Sequence, residues 1–484
     1  MVDEKQEKNP KKIQWDKLDV GIEHDGRAIT LPAEPGKMPV RKAIEALERK
    51  EKDENQPFAV HERFDAYPHD AAVAFTRAMA ELYGWSSPQT VMTFFGPKPP
   101  QMISVKTGFR DEDVVQCPMG AFLLPGVDEQ IHTVIHDFED GKGPQFICHA
   151  NIKKKDRHTL LELATKTRDI LRRESIYRGK PIRLRVDDCG DLETANPPEF
   201  LDVTEMTEES LVFDADLWDQ IITNLLVPLR ETTLCRKHNI PLKRGILLEG
   251  PYGTGKTLVA RLTAREAELA GWTFILLDKA QGLKTALEFA NRYAPAVVFA
   301  EDIDRIAEHR DDATNDLVNT IDGVVSKKAE VMTVLTTNFV TKLDPVILRP
   351  GRLDAVISIK PPGPKAVERL LRYYAGDLLS EEVTLAEAGH ELAGQIPASI
   401  RECVERAKLG MIGRRAQDLA EHDFVVAAKT MKNHLALLNP KPPTLTPAEK
   451  LADGLKEVIL NGTAKLVTET HEKMGALHEH FGLE

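Results

Sequence analysis

The hydrophobic positions change texture three times along the chain. Between 38 and 85 their spacing is helical. Val40, Ile44 and Leu47 recur through "MPVRKAIEALERKEKDEN" (38–55), and Phe75, Met79 and Leu82 share one face of "PHDAAVAFTRAMAELYGW" (68–85), which starts at Pro68. From 101 the apolar runs are short and cut by Gly and Pro, so "QMISVKTGF", "AFLLPG", "QFICHANIK" and "PIRLRVDD" predict strands. A helix over 157–174, with Leu160, Ala164, Thr167 and Leu171 on one side, interrupts them. A periodic alternation of apolar runs and striped helices continues to about 360, and 365–436 reads as all-helical, with "AVERLLRYYAGDLL" and "ASIRECVERAKLGMI" both amphipathic.

Polar and Pro-containing joints divide these textures. They are "NPPEFLDVTEMTEES" (196–210), "KPPGP" (360–364) and "NPKPPTLTP" (439–447). The organisation expected from them is an N-terminal α+β domain over 1–200 with a disordered lead of about twenty residues, an α/β domain over 201–360, a helical subdomain over 361–438, and a linker with a helical tail over 439–484. No internal repeat of fixed period appears.

Composition narrows the class. The chain has 484 residues, 42% apolar and 29% charged, which suits a multidomain globular protein. No run of eighteen apolar residues predicts a membrane span, and "MVDEKQEKNPKKIQWDK" has no apolar core of a secretory leader. Five cysteines stand singly at 117, 148, 189, 235 and 403, which points away from a disulfide framework or zinc knuckle and towards a reducing cytoplasm. The net charge of −12 argues against a large nucleic-acid footprint.

The candidate chemistry begins at "GPYGTGKT" (250–257). Gly250, Gly253 and Gly255 let the backbone turn its N–H groups inward around an anion. Lys256 can reach β- and γ-phosphates, and the Thr257 hydroxyl can ligate Mg²⁺. The strand "RGILLE" before the loop and the helix "TLVARLTAREAELA" after it supply the strand–loop–helix context that the motif needs. A second apolar strand, "PAVVFAEDID" (295–304), ends in carboxylates that can hold Mg²⁺ and activate a water. A third, "VMTVLTTN" (331–338), ends in Asn338, whose carboxamide can orient that water. "LDPVILRPGRLD" (343–354) then places Arg349 and Arg352 on a tight turn, suited to stabilising charge in trans.

From about 213 to 436 these motifs, in this order, resemble the AAA branch of the AAA+ ATPases. "GPYGTGKT" looks like its Walker A loop, "VVFAEDID" its Walker B, "DGV" (322–324) its inter-subunit signalling motif, "TTN" its sensor 1, and "LDPVILRPGRLD" its second region of homology. The resemblance implies a P-loop α/β core, a parallel sheet flanked by helices, with an all-helical lid; the separate α+β N-terminal domain expected over 1–200 lies outside it. It implies ATP held by Gly250, Pro251, Tyr252, Gly253, Thr254, Gly255, Lys256, Thr257 and Leu258, and Mg²⁺ held at Thr257 and Glu301. Asp302 would polarise the lytic water, Asn338 would sense the γ-phosphate, and Arg349 and Arg352 would reach a neighbouring subunit's site in a ring, usually a hexamer.

The chain departs from that family in four places. Its Walker B carboxylates read Glu-Asp rather than Asp-Glu. Where the pore loop of the family has an aromatic paddle, this chain has "DKAQGLK" (278–284). The segment 305–323, with the second pore loop, is short, and Ala398 and Ser399 replace the Ala-Asp of the lid, beside Arg401. The function expected is a ring-forming ATPase that remodels a protein partner chosen by residues 1–200, without an aromatic threading paddle. A nucleic-acid-directed motor or loader and a slow ATP-gated scaffold are the alternatives. Two further stretches have bland readings: "HTVIHDFED" (132–140), with His132 and His136 four apart, is a surface segment or a helical metal pair, and "NIKKKDR" (151–157) is a solvated turn or a patch for an acidic partner.

Overall fold

A computed structural model describes residues 22–24, 27–29, 40–84, 88–93, 96–138, 143–192, 197–304, 329–343 and 353–438. The chain splits into two compact units, Met1–Lys360 and Pro361–Glu484. The expected disordered lead, the tail over 439–484 and the second pore-loop segment lie outside the described residues.

The first unit opens with a small hairpin, β1 (Ile22–His24) and β2 (Arg27–Ile29), and helix α1 (Val40–Glu54). Strand β3 (Pro57–Arg63) leads into α2 (Pro68–Tyr83), which carries Pro in its first turn and ends on Gly84 in the left-handed conformation, the Gly84 N–H donating to Ala80 O. Two hairpins follow: β4 (Val91–Thr93) with β5 (Gly96–Lys98), and β6 (Gln101–Lys106) with β7 (Val114–Met119). Strands β8 (Ala121–Leu123), β9 (Gln130–Phe138) and β10 (Gly143–Lys153) join β3 in an antiparallel sheet of order β3-β10-β9-β8. Helix α3 (Arg157–Glu174) then packs on α2, burying Leu160, Leu163, Ala164 and Ile170.

Strand β9 corrects the reading of "HTVIHDFED". It is an inner strand, paired on both sides, so His132 and His136 are separated by four extended residues, about 13 Å. That distance is too long for the two to share one ion, whereas one helical turn would have brought them together. Likewise "NIKKKDR" is the end of β10 and a helical turn, with Lys153 on Asp128 at 2.7 Å.

The second sheet has the order β12-β11-β14-β15-β16-β13-β17. Its strands are β11 (Pro181–Leu184), β12 (Glu199–Phe200), β13 (Arg244–Glu249), β14 (Thr273–Leu277), β15 (Ala296–Ala300), β16 (Val331–Thr337) and β17 (Ala355–Ser358). All pair in parallel except β12, which lies antiparallel on β11. Between β12 and β13 run short helices α4 (Ala215–Ile221), α5 (Val227–Arg230) and α6 (Thr232–Lys237). Helix α7 (Lys256–Leu269) connects β13 to β14, and α8 (Leu283–Arg292) connects β14 to β15. The sheet is buried on both faces. Along β15, Ala296, Val298 and Ala300 enter the core beneath α8, while Val297 and Phe299 enter the one shared with α7 and residues 203–242. Such two-sided burial explains why these strands read as continuous apolar runs rather than alternating ones.

The sequence places "PIRLRVDD" with the N-terminal α+β domain. The structure instead puts β11 and β12 into the second sheet, where β11 pairs with β14. A short apolar strand carries no mark of which sheet it will join. The two parts of the unit also share one core, which runs from Phe75 and Phe146 through Tyr67 and Tyr177 to Phe289. Polar contacts stitch the seam. Buried Asp70 accepts from Ser175 Oγ at 2.7 Å and Ile176 N–H at 3.0 Å, and Arg178 donates to the carbonyls of Ala294 at 2.6 Å and Arg292 at 3.0 Å. Burial raises the Asp70 pKa.

Tyr293 Oη accepts the Tyr67 N–H at 2.8 Å inside this seam. Tyr293→Phe therefore leaves a buried N–H without its acceptor and should cost about 1–3 kcal/mol, read as a lower denaturant midpoint. An unchanged midpoint would show that the bond contributes nothing.

The described part of the second unit is helical: α9 (Pro364–Ala375), α10 (Ala386–Leu392), α11 (Pro397–Gly413) and α12 (Glu421–Leu438). Val367, Leu371, Ile400, Val404 and Phe424 fill its interior.

Candidate active site

Strands β15, β16 and β13 are adjacent and parallel, so the segments leaving their C-terminal ends meet at one edge of the sheet. The glycine loop follows β13, Glu301 and Asp302 follow β15, and Asn338 follows β16. Residues distant in sequence are thus hydrogen-bonded to one another. Lys256 Nζ, at the start of α7, donates to Gly250 O at 2.6 Å, Pro251 O at 3.0 Å and Asn338 Oδ1 at 2.7 Å. The Asn338 amide then donates from Nδ2 to Asp302 Oδ1 at 2.8 Å. Its two ends suit its neighbours, the oxygen facing an ammonium and the amino group a carboxylate. On the other side, Thr257 Oγ1 donates to Glu301 Oε1 at 2.7 Å.

Two adjacent carboxylates are therefore sorted into different surroundings. Glu301 belongs with the hydroxyl of the glycine loop and Asp302 with the carboxamide and, through it, the lysine. Asp302 reaches its place by a left-handed backbone, φ 52°, fixed by its N–H donating to Thr336 Oγ1 at 3.0 Å. A non-glycine residue held there stores strain of the kind found at functional sites. Lys256 is only 8% exposed, and burial lowers its pKa against the opposing pull of Asp302, Asp304, Glu301 and Glu249.

The loop is shaped by close backbone approach. Gly250 has φ 153°, and a Cβ there would stand 2.2 Å from Ile359 O. That carbonyl is restrained, because the N–H of its own peptide unit, on Lys360, donates to Ser358 O at 3.2 Å. Gly250→Ala should displace the loop and cost at least about 1–3 kcal/mol in backbone strain, with nucleotide affinity falling too. A wild-type thermal midpoint together with wild-type affinity would refute this. Gly255, at φ 110°, caps α7 and lies over the Phe213 ring. Thr254 is buried and bonds Pro251 O at 2.9 Å, while Tyr252 and Leu258 face outward.

Sequence reasoning missed Asp304. It is 3% exposed and accepts from Thr337 Oγ1 at 2.9 Å and from the Asn338 N–H at 3.2 Å, which fixes the end of β16. The available signal was the third carboxylate of "EDID", one turn beyond the strand. Arg349, Arg352 and "DGV" lie outside the described residues. Ala398, Ser399 and Arg401 are on α11, in the second unit.

The segment "DKAQGLK" leaves β14 at the same edge. It is fastened to the turn after β11: Lys279 Nζ lies 2.6 Å from Asp188 Oδ1, and Thr285 Oγ1 donates to Gly190 O at 2.8 Å.

Residues 246–361 match the ATPase family associated with various cellular activities (AAA). The chain carries a P-loop ATPase domain of the AAA family. The chain is 28% identical over 228 residues to a 26S proteasome regulatory subunit 8 homolog of Schizosaccharomyces pombe, covering 43% of this chain and 56% of that protein. It is 31% identical over 262 residues to the ATP-dependent zinc metalloprotease FtsH of Clostridium perfringens, covering 49% and 36%. With FtsH 1 of Symbiobacterium thermophilum the identity is 35% over 201 residues, covering 37% and 34%. The chain thus spans about a third to just over half the length of these relatives. The AAA match covers β13 to β17 of the sheet, but not β11 or β12. No helix of the described residues is long and apolar enough to cross a membrane.

Proposed function

We propose that this chain hydrolyses ATP with Mg²⁺ in a ring of identical copies and uses the cycle to remodel a protein partner recognised by residues 1–200. The observation that carries the reading is the pair of hydrogen-bonded arms at the sheet edge, Thr257–Glu301 and Lys256–Asn338–Asp302. Lys256 and the loop from Gly250 to Leu258 bind the phosphates. The hard oxygens of Thr257 and Glu301, already 2.7 Å apart, fit a magnesium ion, which would supply charge neutralisation at the phosphates. Asp302 accepts a proton from the attacking water, and Asn338 holds Asp302 and that water in line.

The relatives named as a proteasome subunit and as FtsH favour a protein as the thing acted on. Processive threading through an aromatic paddle is not part of the proposal. "DKAQGLK" has no aromatic, and the first of its two lysines, Lys279, is paired with Asp188.

Arg349 and Arg352 are proposed to complete the site of a neighbouring copy. A finger in trans can contribute about 10³–10⁵ in rate. Mixing tests this. Arg352→Ala keeps a pocket without a finger, and Lys256→Ala keeps a finger without a pocket. Each should be inactive alone, and activity should partly return when they are dissociated and reassembled together. Full turnover by a demonstrably monomeric preparation would remove the shared-site ring.

A further inference from the structure

Asp304 is a buried acid to which the proposed chemistry gives no task. Among the described residues its carboxylate bonds only Thr337 and Asn338, and both bonds fall on Oδ1: the Thr337 hydroxyl donates at 2.9 Å and the Asn338 N–H at 3.2 Å. The same Thr337 Oγ1 accepts the Phe339 N–H at 3.1 Å. One carboxylate oxygen thus gathers residues 337–339, the turn on which β16 ends. A buried charge is costly, and one met by a hydroxyl and an amide rather than by a cation gains little stability from its place. Its bonds are nonetheless charge-assisted, which makes them firm holds on the backbone.

The neighbouring strand returns the hold. Thr336 accepts the Asp302 N–H on its Oγ1 at 3.0 Å and the Ile303 N–H on its carbonyl at 3.0 Å. The segment after β15 therefore fixes the segment after β16, and the reverse. These two segments carry Asp302 and Asn338, whose side chains meet at 2.8 Å. The carboxamide of Asn338 is set between an ammonium and a carboxylate, its Oδ1 2.7 Å from Lys256 Nζ and its Nδ2 on Asp302. Both ends are fixed in direction, so a turn of the backbone at 338 would break one bond or both. The group that holds the N–H of that backbone is Asp304.

We propose that Asp304 is a positioning residue for ATP hydrolysis. It acts through Asn338, keeping the carboxamide in line with Lys256 and Asp302, and needs no contact with the phosphates. The proposal rests on the reading that Asp302 takes a proton from the attacking water and that Asn338 aligns the two. A misplacement of about 1 Å can cost about 10²-fold in rate. Loss of the hold should therefore appear in turnover rather than in ATP binding, which belongs to the glycine loop and Lys256.

Turnover at saturating MgATP and affinity for a fluorescent ATP analogue, both measured on the full chain, test this. Asp304→Ala should slow turnover by about 10–10²-fold and leave affinity within about threefold. Asp304→Asn keeps an acceptor at Oδ1 and should recover the rate to within about fivefold. Asn338→Ala should also be slow, and adding Asp304→Ala to it should slow it no further, because the two residues act as one unit. Circular dichroism and thermal melting confirm that each chain is folded. If Asp304→Ala does not fold, Thr337→Val breaks the same hold from β16 and should lower turnover with affinity kept; wild-type turnover there would overturn the proposal. So would wild-type turnover of Asp304→Ala, an affinity that falls as far as the rate, an Asp304→Asn chain as slow as Asp304→Ala, or a double variant slowed by the product of the two single losses. Wild-type turnover of Asn338→Ala would instead remove the reading beneath the proposal, whatever Asp304→Ala does.

Discussion

Lys256→Ala is expected to abolish ATP binding. The ammonium stands at the glycine loop and ties that loop together through Gly250 O, Pro251 O and Asn338 Oδ1. Removing it takes away the charge that faces the phosphates together with three hydrogen bonds of the loop. Charge-assisted hydrogen bonds contribute about 1.5–3 kcal/mol each, so the loss of even two is worth a factor of about 10²–10⁴ in affinity. The change should be selective. A buried lysine is itself costly to desolvate, so the alanine chain should still fold. Titration with a fluorescent ATP analogue should show no saturation at concentrations that fill the unmodified protein. Undiminished affinity would mean that the loop does not bind nucleotide.

Asp302→Asn should leave ATP bound and slow hydrolysis by about 10²–10⁴. The substitution is well matched to the backbone. Asp302 sits at φ 52°, a region that asparagine tolerates better than most residues, and its N–H can keep the bond to Thr336 Oγ1. What is lost is the ability to accept a proton. Glu301→Gln should act differently, raising the Mg²⁺ concentration needed for half-maximal rate, because Glu301 shares its oxygen with Thr257 rather than with Asn338. Single-turnover hydrolysis at saturating ATP, measured across a magnesium series, separates the two. If Asp302→Asn turns over normally and Glu301→Gln does not, the roles of the adjacent carboxylates are reversed.

How much of this could be read in advance depended on how local the chemistry was. "GPYGTGKT" has its whole meaning within eight residues, and the strand and helix around it, β13 and α7, lie where "RGILLE" and "TLVARLTAREAELA" put them. Helix α3 spans the predicted 157–174, because its apolar stripe and its ends are both set by neighbouring residues. Asn338 was found because it ends a strand. Its pairing with Lys256 and Asp302 was not legible, since it depends on β15, β16 and β13 being neighbours in the sheet. Asp304 was passed over for the same reason: its partners lie more than thirty residues away, at the end of β16. The periodicity of "HTVIHDFED" was too short to separate strand from helix, and only the pairing with β8 and β10 decides it.

The way β11 enters the sheet also governs how this protein can be divided in the laboratory. A recombinant fragment begun at residue 201, where the acidic joint invites a cut, would lose both β11 and β12. The backbone of β14, now paired on both sides, would become an open edge, and Tyr293 and Phe289 would lose the aromatic rings that cover them. Unpaired edges and bare aromatic surface favour aggregation. A soluble ATPase fragment must therefore begin before Tyr177, so that the ring over α8 and the strand beside β14 are both kept.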